Sequence, residues 1–240
     1  MRIYKDLSPN FSKKRHNKRK IKFVVFHYTG MQSEIESIKR LKNTVFKVSC
    51  HYLVNRKGKV SQMVGEDKIA WHAGKSKWKN IINLNNSSIG IELVNRGHRH
   101  GYENFPKAQI KSLIALCKLL KKKYKIKAIN FLAHSDIAPL RKVDPGEKFP
   151  WKKLSHDKIG LWPKKKKIKF KNILTKNEIH KFFFKNIYQI GYRYFKIKRR
   201  DKKDKLIVKA FQRRYNPKKI DGKIDLKVLK ISHLLAKRSH

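Results

Sequence analysis

Two histidines and an aspartate lie in sequence contexts where they could bind a metal ion. His27 ends one apolar, strand-like run and His134 ends another, and Asp144 follows His134 on a loop that contains Pro139. Two imidazoles and a carboxylate can supply three ligands to a zinc ion and leave the fourth position for water or substrate. The alternative is that each histidine is a structural hydrogen-bonding residue, since sequence spacing alone does not bring His27 and His134 together.

Two further residues could carry the chemistry of a hydrolase. A carboxylate that is not a metal ligand can take a proton from the attacking water and pass it to a leaving amine, and Glu92, in the run 88-SIGIEL-93, fits this role. A cation near the metal can stabilise an oxyanion. Lys142, on the same loop as Asp144, fits that role. A bound metal would itself lower the pKa of water and polarise a carbonyl.

The elements that must position these residues alternate between strands and helices. Short β-branched and aromatic runs predict strands, and apolar residues at helical spacing predict helices. Ser33 and Glu36 match a capping box, and Pro106 suits a first helical turn. The pattern predicts an α/β domain over 21–163. Its strands are expected at 21–29, 48–64 (two strands joined at Lys57-Gly58), 87–95 and 128–134, and its helices at 33–43 and 106–124.

The two ends of the chain have a different character. Residues 1–20 are polar and basic and predict an irregular N-terminal arm, and residues 164–174 predict a basic linker. Beyond the linker, residues 175–240 predict a small separate domain of three helices. These helices are expected within 176–191, where Thr175 and Glu178 could form a capping box, within 201–215 and within 225–238.

The charge of the chain is strongly positive. Lys and Arg number 63 against 16 Asp and Glu, a formal net charge of +47, which favours an anionic partner such as nucleic acid, an acidic membrane surface or a wall polymer. Lysine is nevertheless spread along the whole chain, as a general bias in composition would also produce. The aromatic platforms and readout helices of nucleic-acid modules are not evident. We therefore do not expect nucleic acid to be the main partner.

Neither the cysteines nor the apolar runs indicate a secreted or membrane protein. Cys50 and Cys117 form no metal motif and no disulfide framework, although a bond between the two stays open. Cys117 is expected in the core. No apolar run approaches the roughly 20 residues of a membrane span, and no signal-like apolar segment follows the basic N-terminus. We expect a cytoplasmic protein, with the periplasm as the alternative.

Residues 21–163 resemble the zinc-dependent N-acetylmuramoyl-L-alanine amidases of the type 2 amidase family. These are relatives of the amidase-type phage lysozymes and of the peptidoglycan recognition proteins. Six blocks match in order over some 120 residues. They are 26-FHYTG-30, 49-SCHYLV-54 with Gly58, 70-AWHAG-74, 87-SSIGIEL-93, 133-AHSDIAP-139 and 141-RKVDPG-146.

The resemblance implies a central mixed β-sheet flanked by helices, with one Zn²⁺ in a surface groove. It makes His27, His134 and Asp144 the zinc ligands, Glu92 the catalytic carboxylate and Lys142 the cation that stabilises the transition state. The implied reaction is hydrolysis of the amide between the lactyl group of N-acetylmuramic acid and L-alanine of the stem peptide. The implied partners are peptidoglycan or muropeptide fragments, and no obligate protein partner is expected.

The remaining residues of the matching blocks have less specific roles. His72 and Trp71 are expected to line the substrate groove, with a buried, hydrogen-bonded His72 as the alternative. His51 is expected to be structural. The phage relatives have a catalytic tyrosine where this chain has Cys50, and Cys50 is interpreted as structural because the branch with a glutamate at position 92 does not need that tyrosine. His98 and His100 are expected on a solvated or substrate-side loop.

The C-terminal region resembles the three-helix peptidoglycan-binding domain type 1 more distantly. The matching pieces are 187-IYQIGY-192, 207-IVKAFQRRY-215 and 220-IDGKID-225. The two resemblances therefore imply an amidase acting in cell-wall turnover or muropeptide recycling, with a wall-binding tail. A helical appendage that binds no ligand is the alternative for this tail. A non-catalytic receptor for wall fragments is the rival hypothesis. A polyanion-binding protein that needs no zinc is a third one.

Overall fold

A six-stranded mixed sheet forms the centre of the N-terminal two thirds of the chain. The computed structural model describes residues 1–13, 20–163, 175–197 and 199–238. The strand order is β1-β5-β4-β9-β3-β10. Only β4 and β5 pair antiparallel, and the other neighbours are parallel. The strands are β1 Ile3–Lys5, β3 Phe23–Tyr28, β4 Tyr52–Val54, β5 Val60–Gln62, β9 Ser88–Leu93 and β10 Phe131–Ala133.

Two small ribbons and seven α-helices complete the described chain. In the ribbons, β2 (Phe11–Ser12) pairs with β6 (Ile69–Ala70), and β7 (Lys77–Trp78) pairs with β8 (Ile81–Ile82). The helices are α1 Glu34–Lys42, α2 Lys107–Tyr124, α3 His134–Ile137, α4 Trp151–His156, α5 Lys176–Ile190, α6 Asp204–Tyr215 and α7 Leu226–Ala236. The mixed sheet with flanking helices confirms the predicted fold class.

The two central strands send alternate side chains to opposite faces of the sheet, as the pleat requires. In β9, Ile89 and Ile91 belong to the core that α2 and α4 cover, so Ser88, Gly90 and Glu92 point to the other face. In β3, Val24 and Phe26 join the first core, while Phe23 and Val25 join the second. His27 shares the second face with Phe23 and Val25, and it pairs in register with Glu92.

The predicted helix starts agree with the structure, but one predicted apolar contact does not. Ser33 accepts a hydrogen bond from the Glu36 amide and caps α1, and Thr175 and Glu178 form a capping box at α5. These caps satisfy amides that have no partner within the helix. The helical spacing of Ile35, Ile38 and Leu41 predicts that the three share one apolar face. Ile35, however, is 67% exposed, and α1 buries Ser37 and Leu41.

The C-terminal helices share a hydrophobic core with the sheet. Phe183 and Phe211 belong to the same cluster of buried side chains as Val25 and Leu132, and Trp78 packs edge-to-face on Tyr192 at 5.0 Å between ring centroids. Helices α5 to α7 are thus the predicted three, but they are packed against the sheet and do not stand apart as a separate module. The predicted linker at 164–174 lies outside the described residues.

Two segments differ from the sequence prediction. The N-terminal arm is not irregular throughout, because β1 extends the sheet beside β5 and β2 pairs with β6; residues 14–19 lie outside the described part. The strand predicted over 128–134 is shorter. Residues Ala128–Asn130 form a 3₁₀ turn, β10 covers three residues, and His134 is already the first residue of α3. In the described parts of the chain, every helix is too short or too polar to cross a membrane.

The shared core predicts that the sheet and the C-terminal helices unfold together. All four tryptophans precede residue 163, whereas Phe211 is a fully buried residue of α6. Because Phe211→Ala leaves a cavity in the shared core, we expect the free energy of unfolding to fall by about 3–5 kcal/mol. Tryptophan fluorescence and far-UV circular dichroism should move to the same lower denaturant midpoint. A fluorescence transition that stays in place while the helical signal moves would contradict the shared core.

Candidate metal centre

Three buried side chains bring one ligand atom each to a common point. Nδ1 of His27 lies 2.9 Å from Nδ1 of His134, and each of these nitrogens lies 3.0 Å from Oδ2 of Asp144. The three are the one group of metal-ligand type found among the described residues. The amide of Ser135 also donates to the carbonyl of Asp144 at 3.0 Å, which joins the first turn of α3 to the loop that carries the aspartate.

A carbonyl group sets the tautomer of His134. Nε2 of His134 lies 3.1 Å from the carbonyl oxygen of Ala73 and 3.4 Å from Nη2 of Arg141. Because a carbonyl only accepts, the shorter contact favours the tautomer with the ring hydrogen on Nε2. Nδ1 therefore keeps its lone pair and directs it at the cluster. Arg141 donates to the same carbonyl and to that of Lys75, which fixes the loop that supplies the acceptor.

A chain of polar groups orients His27 in the same way. Nε2 of His27 lies 3.1 Å from Nδ1 of His72, Nε2 of His72 lies 3.2 Å from Oγ of Ser88, and Ser88 donates to the carbonyl of Leu84 at 2.6 Å. When each group donates to the next along this chain, Nδ1 of His27 is left as an acceptor. Such partners of ligating histidines hold the tautomer and the ring orientation.

Gly90 gives His72 the room that it needs. A Cβ atom at Gly90 would lie 2.3 Å from Cγ of His72, so the ring lies flat against the strand where it has no side chain. The amide of Gly90 donates to Nδ1 of His51, whose Nε2 contacts the carbonyl of Lys68. The structural role predicted for His51 agrees with these two backbone contacts.

The donor set fits a zinc ion. Tetrahedral zinc with bonds of about 2.0–2.1 Å places its ligand atoms roughly 3.3 Å apart, close to the 2.9–3.0 Å separations of the three atoms. Burial, followed by the neighbouring charge of His134, lowers the pKa of His27 to about 4, so its ring is neutral at pH 7. Although burial opposes it, the two histidines hold the pKa of Asp144 well below its usual range. Neutral imidazole and ionised carboxylate are the forms that bind metal.

Glu92 lies beside this cluster with an unpaired carboxylate oxygen. Its Oε2 is buried and has no hydrogen-bond partner among the described residues. Burial, followed by the negative charge of Asp144, raises the pKa of Glu92 to about 8, while Lys142 acts in the opposite direction. A carboxyl group with a pKa near the working pH can both accept and return a proton. Lys142 therefore lies close enough to influence Glu92, and its charge also lowers the pKa of His27.

The two cysteines are buried free thiols. Burial, followed by the negative charge of Glu92, raises the pKa of Cys50 well above its usual range. Cys50 thus lies next to the catalytic candidate as a neutral thiol. Burial likewise raises the pKa of Cys117 in the core under α2. The disulfide that the sequence left open is absent from this pair.

The two residues predicted to line the substrate groove, His72 and Trp71, differ in how deeply they are buried. His72 is 6% exposed and its Nδ1 lies 3.1 Å from Nε2 of His27, which agrees with the buried, hydrogen-bonded alternative, and its role toward substrate stays a prediction. Trp71 is half-buried, and its indole N–H donates to Ser12 of β2 at 2.8 Å. Its role toward substrate stays a prediction.

A group of four residues in mutual contact, Tyr28, His98, Tyr102 and Glu147, was not indicated by the sequence. Tyr28, directly after His27, contacts Nδ1 of His98 through its hydroxyl at 2.9 Å, and Nε2 of His98 contacts Glu147 at 3.1 Å. The ring of Tyr102 stacks on His98 with centroids 4.4 Å apart. His98 is thus an exposed residue held between Tyr28 and Glu147, and it takes part in no metal cluster among the described residues.

Some residues of the site carried a readable sequence signal and others carried none. Ser88, Gly90 and Glu92 alternate with isoleucines, which would have placed them together on one face of a strand. Asp136 of α3 and Arg214 of α6 form a buried ion pair, although they are 78 residues apart in the chain. Sequence patterns contain no signal for such a pair.

The comparison with known families shows which family the chain belongs to. The model of the type 2 amidase family, described as N-acetylmuramoyl-L-alanine amidase, matches residues 17–147, more than half of the chain. The chain belongs to this amidase family. All five residues predicted to bind metal or carry the chemistry lie within the matched region.

Two curated relatives are similar to this chain over different lengths. AmiD, an N-acetylmuramoyl-L-alanine amidase from Escherichia coli, is 42% identical over 163 residues, which span 63% of this chain but only 58% of AmiD. AmpD, a 1,6-anhydro-N-acetylmuramyl-L-alanine amidase from Haemophilus influenzae, is 33% identical over 61% of this chain and 86% of its own length.

A solved structure of E. coli AmiD is similar over almost the whole fold. It superimposes with a TM-score of 0.79 and 31% identity, covering 95% of this chain and 98% of that one. That AmiD structure is a complex with the substrate anhydro-N-acetylmuramic acid-L-Ala-D-γ-Glu-L-Lys. The similarity therefore includes the C-terminal helices as well as the amidase sheet.

The close approach of His72 to Gly90 yields a test of the site. We expect Gly90→Ala to lower the free energy of unfolding by about 1–3 kcal/mol, because the new methyl group must displace a packed ring. Gly65→Ala is the matched control, since the new atom there meets only the carboxylate end of Asp67, and its effect should stay within about 0.5 kcal/mol. Denaturant unfolding measures both, and equal effects would contradict the packing of His72 on Gly90.

Proposed function

We propose that this amidase hydrolyses the bond between the lactyl group of N-acetylmuramic acid and L-alanine of the stem peptide. The observation that carries the proposal is the convergence of Nδ1 of His27, Nδ1 of His134 and Oδ2 of Asp144 beside the unpaired oxygen of Glu92. This combination would supply a metal site and a proton carrier among buried side chains. Metal-assisted hydrolysis of an amide uses both.

His27, His134 and Asp144 would hold one zinc ion. When bound, zinc supplies Lewis-acid activation of water and of the substrate carbonyl. His72 and the carbonyl of Ala73 hold the two imidazole rings so that their Nδ1 lone pairs face the ion.

The other residues of the chain handle protons and charge. Glu92 takes a proton from the water that attacks the lactyl carbonyl, and it then donates this proton to the nitrogen of L-alanine as the amide bond breaks. Lys142, whose charge lowers the pKa of both His27 and Glu92, would stabilise the negative charge that develops on the carbonyl oxygen. Burial of Glu92 supports the first step, because a desolvated carboxylate is a stronger base.

The nature of the substrate is supported by the relatives. AmpD is named for 1,6-anhydro-N-acetylmuramyl-L-alanine, and AmiD has been solved with an anhydro-muropeptide. We propose that this chain likewise takes muropeptides with an anhydro sugar, in cell-wall turnover or recycling. The C-terminal helices, which resemble a peptidoglycan-binding domain, are proposed to contact the wall, and their lysines suit its carboxylates.

The product assay tests the reaction directly. The purified protein loaded with zinc is mixed separately with an anhydro-muropeptide and with intact sacculi, and the products are analysed by mass spectrometry. We expect free peptides that begin with L-alanine, and none after treatment with EDTA. The faster substrate distinguishes recycling of fragments from action on intact wall. Retention on sacculi without release of any peptide would contradict the hydrolase and favour a wall-binding protein.

Substitution of Glu92 tests the proton carrier. We expect Glu92→Gln to lower the rate of peptide release by about 10²–10⁴-fold, because the amide cannot accept the proton of water. The zinc content should be unchanged, since Glu92 is not a proposed ligand. Glu103→Gln changes a surface carboxylate that pairs with Arg56, and it should leave the rate unaltered. Loss of zinc from Glu92→Gln would contradict this assignment and make Glu92 a ligand.

A further inference from the structure

We propose that Arg214 of α6 is a positioning residue for the metal centre, acting through Asp136 on His134. The inference rests on the proposed metal site and assigns a task to the C-terminal helices beyond any contact with the wall. It makes them part of the support of the catalytic pocket.

Asp136 fixes the start of α3. This helix has four residues and begins with His134, and so short a helix does not hold its own geometry. Oδ2 of Asp136 accepts a hydrogen bond from the amide of Ala133 at 2.9 Å. The carboxylate therefore fixes the junction between β10 and α3, where the chain turns so that His134 faces the cluster.

Side chains of the C-terminal helical region hold Asp136 in place. Its Oδ2 also accepts from Nη1 of Arg214, and its Oδ1 accepts from the hydroxyl of Tyr192. Asp136 is fully buried and Arg214 is 3% exposed. Both partners belong to the C-terminal helical region, which thus supplies the countercharge for a carboxylate of the catalytic part.

Arg214 is itself held in one position. Its Nη2 donates to the carbonyl of Phe131 in β10 at 3.1 Å, and its guanidinium lies 3.7 Å from the ring centroid of Trp151. The planar fork of arginine can bind the carboxylate and the strand at the same time, which the single ammonium of lysine does not. Arg214 thereby joins β10, α3 and α4 at one point.

The start of α3 is also linked to Asp144, the proposed ligand on the following loop. The amide of Ser135, next to His134, donates to the carbonyl of Asp144, so a shift of α3 also moves Asp144. At the far end of the segment, Arg213 lies 3.9 Å from Glu147. Arg214 thus contacts the beginning of the segment 134–147, and Arg213 lies near its end. This segment contains two of the three proposed ligands and Lys142.

The affinity for zinc separates positioning from simple stabilisation. The affinities of the full-length apoprotein and its variants are measured by competition with a chelating dye at 25 °C, below the thermal midpoint of each. We expect Arg214→Met to weaken zinc binding by about 10- to 100-fold, as loss of a partner that orients a ligand does. Arg214→Lys, which keeps the charge, should weaken it less. The absorption spectrum of the Co²⁺-loaded Arg214→Met variant should differ from that of the wild type.

Leu229→Ala is the control for stability alone. Leu229 is fully buried in the shared core on α7, so this change should lower the thermal midpoint and leave the zinc affinity within about twofold, because it alters no partner of a ligand. The inference is overturned if folded Arg214→Met binds zinc like the wild type, or if Leu229→Ala weakens binding as much.

A double variant covers the case in which Arg214→Met does not fold. Removing one partner of a buried ion pair leaves an uncompensated charge, whereas Asp136→Asn with Arg214→Met removes both charges. We expect this double variant to fold and to bind zinc more weakly than the wild type, and wild-type affinity would overturn the inference. If the wild type itself binds no zinc, the proposed function fails first, which is a distinct result.

Discussion

The direction of two imidazole lone pairs is the constraint on which the site depends. A histidine presents Nδ1 to a metal only when the hydrogen of its ring is on Nε2, and that hydrogen needs an acceptor inside a buried pocket. The carbonyl of Ala73 is the acceptor for His134, and His72 with Ser88 is the acceptor chain for His27. Much of the surrounding structure serves these two contacts, since Arg141 fixes the loop of Ala73 and Gly90 makes room for His72.

The pleat of the sheet accounts for the composition of the pocket. Alternation in β9 separates Ile89 and Ile91, which pack under α2, from Gly90 and Glu92, which face the pocket. The parallel pairing of β3 with β9 then brings His27 level with Glu92. One face of two neighbouring strands thus carries a proposed ligand, the proposed proton carrier and the glycine against which His72 packs, while the opposite face provides the core that keeps both strands rigid.

The C-terminal helices take part in the same architecture. Their phenylalanines complete the core on the site face of the sheet. Arg214 forms an ion pair with Asp136 of α3, and the hydroxyl of Tyr192 donates a hydrogen bond to the same carboxylate. The C-terminal region, whose sequence resembles an appended binding module, therefore also packs against the catalytic part. The extent of this contact agrees with the similarity to AmiD, which includes the helical region.

The sequence by itself determined the family, the mixed α/β architecture and the short motifs, because these depend on local residue patterns. Strand alternation, the caps at Ser33 and Thr175 and the position of Glu92 in its strand all follow from neighbours in the chain. Residue order did not predict the turn that makes His134 the first residue of α3 or the exposure of Ile35, and it gave the burial of His72 only as one of two alternatives. The pair of Asp136 and Arg214 and the shared core were equally out of reach. Only the tertiary structure decided these features, because each depends on the burial of polar or apolar groups from distant segments against one another, and such contacts leave no periodic signal along the chain.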